Sequence, residues 1–280
     1  MKQVIFAALL ALASLLVMAG SRGELESSAV VNGAIVLATD GTVKTAVVDD
    51  EARYGKAIAD IVRTAALHWR FQPVTRDGAP VQARASMHVR VVVGKAPGGN
   101  YTARIKGATF GEIDKHSTDV LHGAEGNRMV LPRYPREAMR HRVQGTVYLA
   151  LQVDHDGHVV QAVAEQVNLR NLGPERVLKT YRKVLADAAL DAARKWSYVL
   201  PSTGRLAHQD SWTVRVPIDF SLTELGKAPS RPVWHTYIPG PYTPASWVDR
   251  PDMNAADALA DDSVQTEGAG PVPLAPISHG

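Results

Sequence analysis

The stretch Tyr54-Gly-Lys-Ala-Ile-Ala-Asp-Ile-Val-Arg-Thr-Ala-Ala-Leu-His-Trp69 returns at a constant offset (181 − 54 = 127) as Tyr181-Arg-Lys-Val-Leu-Ala-Asp-Ala-Ala-Leu-Asp-Ala-Ala-Arg-Lys-Trp196. Tyr, Lys, Ala, Asp, Ala, Ala and Trp recur in register. Tyr54, Ile58, Ile61, Val62, Ala65 and Trp69 match Tyr181, Leu185, Ala188, Ala189, Ala192 and Trp196. Steps of four, three, one, three and four residues trace one apolar stripe of an α-helix. Trp69 and Trp196 close the two stripes, so both are expected in a core rather than as ligand platforms.

The flanks repeat as well. Upstream of the first helix an apolar run at 35–37 leads to Asp40-Gly41 and then to 43–48. Upstream of the second, 147–153 leads to Asp156-Gly157 and then to 159–163. Two apolar runs around Asp-Gly predict a β-hairpin, with glycine supplying the positive φ of the tight turn. Downstream, Phe71 or Tyr198 follows the tryptophan and Pro73 or Pro201 stops the helix. The closing strands are 87–93 and Trp212-Thr-Val-Arg-Val-Pro-Ile218. The second copy is longer before its tryptophan, and 168–174 reads as a loop because of Asn171, Gly173 and Pro174. A repeat of this period is a unit of architecture. The expected fold class is α+β: two small β-β-α-β modules, each with a helix packed on an antiparallel sheet.

In the second copy, Leu131-Pro132-Arg133-Tyr134-Pro135 precedes a short helix at 136–141. The Gly145 strand, Asp156-Gly157, the alanine-rich helix, Trp196-Ser-Tyr198 and Val214-Arg-Val-Pro-Ile-Asp-Phe220 follow in order. This pattern resembles the C-terminal domain of TonB proteins over about 131–222, with a weaker copy over about 29–93 that lacks the Tyr-Pro start. The resemblance implies a non-enzymatic protein that captures a short segment of an outer-membrane receptor, or of another periplasmic protein, by β-strand addition. It places the partner-binding edge on the last strand, at Trp212, Val214, Arg215, Val216, Ile218 and Phe220. Pro217 suits an edge, since proline cannot donate to a central ladder. The alternative reading is a periplasmic scaffold that self-associates through exposed sheet edges, with no energy-transducing role.

Length and composition agree with a two-domain exported protein. The chain has 280 residues, 45% apolar and 21% charged. Its formal charge of +3 is too small to argue for nucleic acid. The absence of cysteine excludes disulfides, thiolate metal sites, a cysteine nucleophile and a lipoprotein anchor. Met1-Lys2-Gln3, an apolar run from Val4 to Met18 and Val17-Met18-Ala19 read as a signal peptide over 1–20. As a short membrane anchor instead, 4–20 would reach only about 25 Å of the roughly 30 Å hydrocarbon core. Either way the rest of the chain is expected in the periplasm. The second domain is drawn at 127–222. The Gly-rich, mixed-charge segment 94–126 is expected to be a linker with a short strand near 101–105. Residues 223–280 run from Pro and aromatic residues to an acidic stretch. They are expected to be disordered alone, with the Pro/aromatic part able to dock elsewhere.

Candidate chemistry is thin. His155 and His158 flank an exposed turn, where two side chains this close rarely converge on one ion, so no metal site is assigned. No Gly-x-Ser-x-Gly elbow and no glycine-rich phosphate loop before a helix is present, and no cofactor is expected. Arg133, Arg136, Arg140, His141 and Arg142 form a basic cluster. It is a solvated helix face or a contact for anionic lipid or an acidic partner.

Overall fold

The computed structural model describes residues 25–95, 100–111, 118–124, 130–223, 233–248, 256–259 and 264–277. The expected signal peptide or anchor at 1–20 lies outside the described residues. Among those described, no helix is long and apolar enough to cross a membrane. The protein is α+β, with antiparallel sheets.

In the first sheet β1 (Glu26–Leu37) is followed by β2 (Val43–Val48), α1 (Glu51–Tyr54), α2 (Lys56–His68), the small pair β3 (Thr75–Arg76) and β4 (Ala79–Pro80), then β5 (Ala83–Lys95) and β6 (Tyr101–Phe110). Strand β1 alternates: Ala29, Val31, Ile35 and Leu37 are buried in the core, and Val30, Asn32, Ala34 and Val36 take the other face. One side of β1 pairs with β5, the other with β2. Trp69 and Phe71, past the end of α2, meet Phe110 of β6 edge-on at 5.4 and 4.9 Å between ring centroids.

Two short elements follow, β7 (His122–Gly123) and α3 (Arg136–Arg140), and then the second sheet begins with β8 (Gly145–Val153) and β9 (Val159–Leu169). Next come α4 (Glu175–Ala193), β10 (Tyr198–Val199), a 3-10 turn (Arg205–His208) and β11 (Trp212–Phe220). The tail adds β12 (His235–Tyr237) and β13 (Gln265–Thr266). The sheet orders are β12-β1-β5-β6, with β2 on β1, and β13-β11-β8-β9. The second core gathers Val147, Leu149, Leu151, Leu178, Leu185, Trp196 and Val214.

Both expected Asp-Gly turns form, and their glycines adopt positive φ. Each tip is clamped by the chain beyond the helix: Phe71 N–H donates to Gly41 O and Tyr198 N–H to Gly157 O, at 3.0 and 2.8 Å. A Cβ on Gly157 would lie 2.2 Å from Tyr198 O, so the close approach itself demands glycine.

Several expectations are corrected. The buried face of α2 is Ala59, Val62 and Ala66, while Ile61 is exposed. The small residues face the sheet because they let the helix approach it. Helix α4 starts at Glu175, just after Pro174, whose fixed φ and missing N–H suit a helix start. Asn168 and Leu169 belong to β9, which shortens the expected loop. Residues 101–110 are not linker but a full strand paired along β5. Strand β6 has a bulge: Ile105 faces Val91 and Gly107 faces Arg90, leaving Lys106 as the extra residue.

The described parts of the tail are ordered by pairing, which corrects the expectation of disorder there. Strand β12 pairs with Glu26, Ser27 and Ser28 of β1. The next residue, Ile238, exchanges two backbone hydrogen bonds with Leu169 of β9, at 2.7 and 3.0 Å. A second crossing runs from β13 on β11 to Val272, whose carbonyl accepts Gln72 N–H at 2.9 Å, and to Leu274, which donates to Arg70 O at 2.9 Å. A segment that cannot bury a core alone is thus held by the edges of both sheets.

Candidate functional site

Strand β11 is bonded to β8 along its whole length, without a bulge. Its other side is an outer edge, and the tail takes part of it. Val214 faces Thr266 and Arg215 faces Gln265, and Glu267 N–H donates to Thr213 O at 2.8 Å. In an antiparallel strand a residue's N–H and C=O point to the same side, and the side alternates. Thr213 points outward, so Arg215, Pro217 and Asp219 do too. Pro217 therefore leaves a missing donor on the outer ladder, between the outward N–H groups of Arg215 and Asp219.

The side chains sort by the same alternation. Trp212, Val214, Val216, Ile218 and Phe220 are all buried and belong to the core that α4 covers. Among the expected edge residues only Arg215 lies on the opposite face. Its Nε lies 2.9 Å from Glu165 Oε2, and its Nη1 3.4 Å from Glu267 Oε2. Burial works against the Arg215 charge, but the Glu165 and Glu267 carboxylates hold its guanidinium above its ordinary value. Glu165 is only 1% exposed and is the extra residue of a bulge in β9, where Gln166 faces Tyr148 and Ala164 faces Leu149. The bulge turns this carboxylate toward Arg215.

A second buried polar group joins the sheets and is not evident in the sequence. Asp257 is fully buried, and its Oδ2 lies 2.7 Å from Lys106 Nζ. The same oxygen accepts from Asn168 Nδ2 at 3.1 Å, Gln166 Nε2 at 3.3 Å and Tyr237 O–H at 3.4 Å. Lys106 also lies 2.9 Å from Glu26 Oε2. Burial, then the Asp257 charge, pushes the Tyr237 phenol up, so it stays protonated and donates. Asp257 sits in an acidic run with no local signal of burial, and Lys106 and Glu165 are marked only by bulges that sequence alternation does not show.

The basic cluster stays at the surface: Arg133, Arg136, Arg140, His141 and Arg142 are all exposed, next to exposed Val130, Leu131 and Met139. At the second hairpin, Asp154 Oδ1 accepts the N–H groups of Asp156 and His158 at 3.0 and 2.8 Å. His155 and His158 belong to that exposed turn, and among the described residues no three His, Asp or Glu side chains gather to hold a metal ion.

These features define an α+β protein whose helices α2 and α4 each back an antiparallel sheet and whose tail occupies sheet edges. Comparison with known proteins adds a relationship. Over 91 residues the chain is 35% identical to "Protein TonB" of Xanthomonas campestris pv. campestris, strain B100. It is equally similar to the protein of that name in strain ATCC 33913. The match covers 32% of this chain and 34% of each relative, so the chain spans about a third of the length of the curated relatives it matches. No family model matches, and no solved structure matches. The chain carries a TonB-like domain.

Proposed function

We propose that this chain is a non-enzymatic, periplasmic TonB-like protein that captures an extended segment of an outer-membrane receptor by β-strand addition. It would act in energy-coupled transport across the outer membrane. The observation that carries this reading is the side of β11 that faces away from β8 in a TonB-like domain, where β13 covers Val214 and Arg215 and the backbone groups of Asp219 point outward beyond it. The two helix-backed sheets then correspond to two TonB-like modules, 29–93 extended by β6, and 127–222. The N-terminal 1–20 serves as signal or anchor, and the Arg133, Arg136, Arg140 and Arg142 surface as a contact for anionic groups.

Asp219→Pro tests this reading, because it removes an outward donor and leaves the backbone bonds to β8 in place, with Asp219→Ala as the control for the side-chain contacts to Thr146 and Arg170 that both changes remove. Full-length protein should retain the N-terminal segment of an outer-membrane transporter, identified by mass spectrometry, and the proline variant should lose it. Equal retention by both proteins, or none by either, would contradict strand addition here. The scaffold reading is favoured by one observation, the ten-residue outer strand β6 of the first sheet. It predicts a concentration-dependent dimer with no outer-membrane partner.

A further inference from the structure

The segment on β11 is short, and its side chains are sorted. Thr266 faces Val214, and in the same register Val264 falls opposite Val216; both side chains join the α4 side of the sheet. Thr266 is buried there. Gln265 and Glu267 take the opposite face, where Glu267 reaches Arg215. Beyond the strand, Gly268 turns with φ +79°, and Arg205 donates to the carbonyls of Gly268 and Gly270. Trp247 Nε1 donates to Thr213 Oγ1 at 3.2 Å beside the same edge.

We infer that 264–267 is a built-in occupant of the partner edge, and that it displays the chemistry the edge accepts. That chemistry is an antiparallel extended segment with β-branched residues alternating toward the core and a carboxylate facing Arg215. The inference rests on the strand-addition reading and deepens it. Thr213 and Arg215 supply the outward groups on the N-terminal side of the Pro217 gap, and the tail uses both. A partner strand that needs these groups has to displace the tail. The ladder itself is short: it spans few backbone groups, and the Arg215–Glu267 pair is the longer of the two that Arg215 makes. Because the segment is tethered, it competes at an effective concentration set by its linker, on the order of millimolar. A core strand such as β8, bonded on both sides, has no comparable exchange open to it.

The test uses full-length protein and a fluorescent peptide of residues 262–270. In one variant, Glu267→Pro, the donor to Thr213 is gone. In a second, Glu267→Arg, the backbone donor stays and the charge facing Arg215 is reversed. Melting curves confirm that each variant is folded. An occupant that fills about nine-tenths of the edges weakens apparent binding about ten-fold. Both variants should therefore bind the peptide about ten-fold more tightly than the unaltered chain, and a peptide carrying Glu267→Arg should not bind. Equal binding by all three proteins, or binding by none, overturns the inference. So does an unaltered protein found as a dimer with the segment exchanged between copies. The experiment needs no cellular partner, so it stands or falls apart from the capture experiment above. Transporter capture that the Glu267 variants leave unchanged would overturn the built-in occupant while leaving strand addition intact.

Discussion

Two charged residues lie inside this protein where a strand miscounts. Lys106 and Glu165 are each the extra residue of a bulge, and both project to the face away from the helices, into contacts with Asp257 and Arg215. A bulge breaks period-two alternation, which is why a reading of 101–110 from sequence stops near Ile105. Tight turns are the opposite case. Asp40-Gly41 and Asp156-Gly157 are legible because only a few residue types tolerate the geometry. The carboxylate that closes the second turn is nonetheless Asp154, two residues earlier. The His158 N–H, ahead of other causes, holds the Asp154 carboxyl below its usual range. A depressed folded pKa contributes stability above the unfolded value and loses it as pH falls through the folded one. The melting-temperature gap between the unaltered chain and Asp154→Asn should therefore be widest at neutral pH and narrow below about pH 4. A gap that stays constant down to strongly acidic pH would remove the charge from the explanation.

At the scale of elements, the two long helices are legible in the sequence and the short tail strands β12 and β13 are not. Helices α2 and α4 carry their pattern within one segment, so Trp69 and Trp196 can be placed in cores from the stripe alone; both are buried. Strands β12 and β13 have two or three residues each, and their partners lie far away in sequence. Nothing local distinguishes His235–Tyr237 from the surrounding Pro/aromatic run; the order comes from the edge of β1. The Asp257 element is held by the same logic of distant partners. Removing Asp257 takes the shared acceptor from Asn168 and Tyr237 and leaves the buried Lys106 ammonium with Glu26 alone. Asp257→Ala should cost about 3–5 kcal/mol in chemical denaturation, while Asp257→Leu combined with Lys106→Met should cost less. A single change no worse than the double would mean that Asp257 is not the acceptor at the sheet junction.

At the scale of the molecule, the tail ties the sheets together. It leaves β12 on the first sheet, bonds to β9 on the second at Ile238, and later runs from the β11 edge to Arg70 and Gln72. Strand β11, singled out from the resemblance to TonB, pairs with β8 on one side, and over its first half the tail pairs with it on the other. That is invisible in the sequence, because the covering residues lie some distance beyond the motif and carry none of its signature. In-cell photo-crosslinking from a probe at Asp219, on the half of β11 beyond Pro217, decides whether a partner strand adds there. Strand addition at β11 requires a crosslink to the N-terminal segment of an outer-membrane transporter. Crosslinks only to this chain itself, or to unrelated periplasmic proteins, would contradict it.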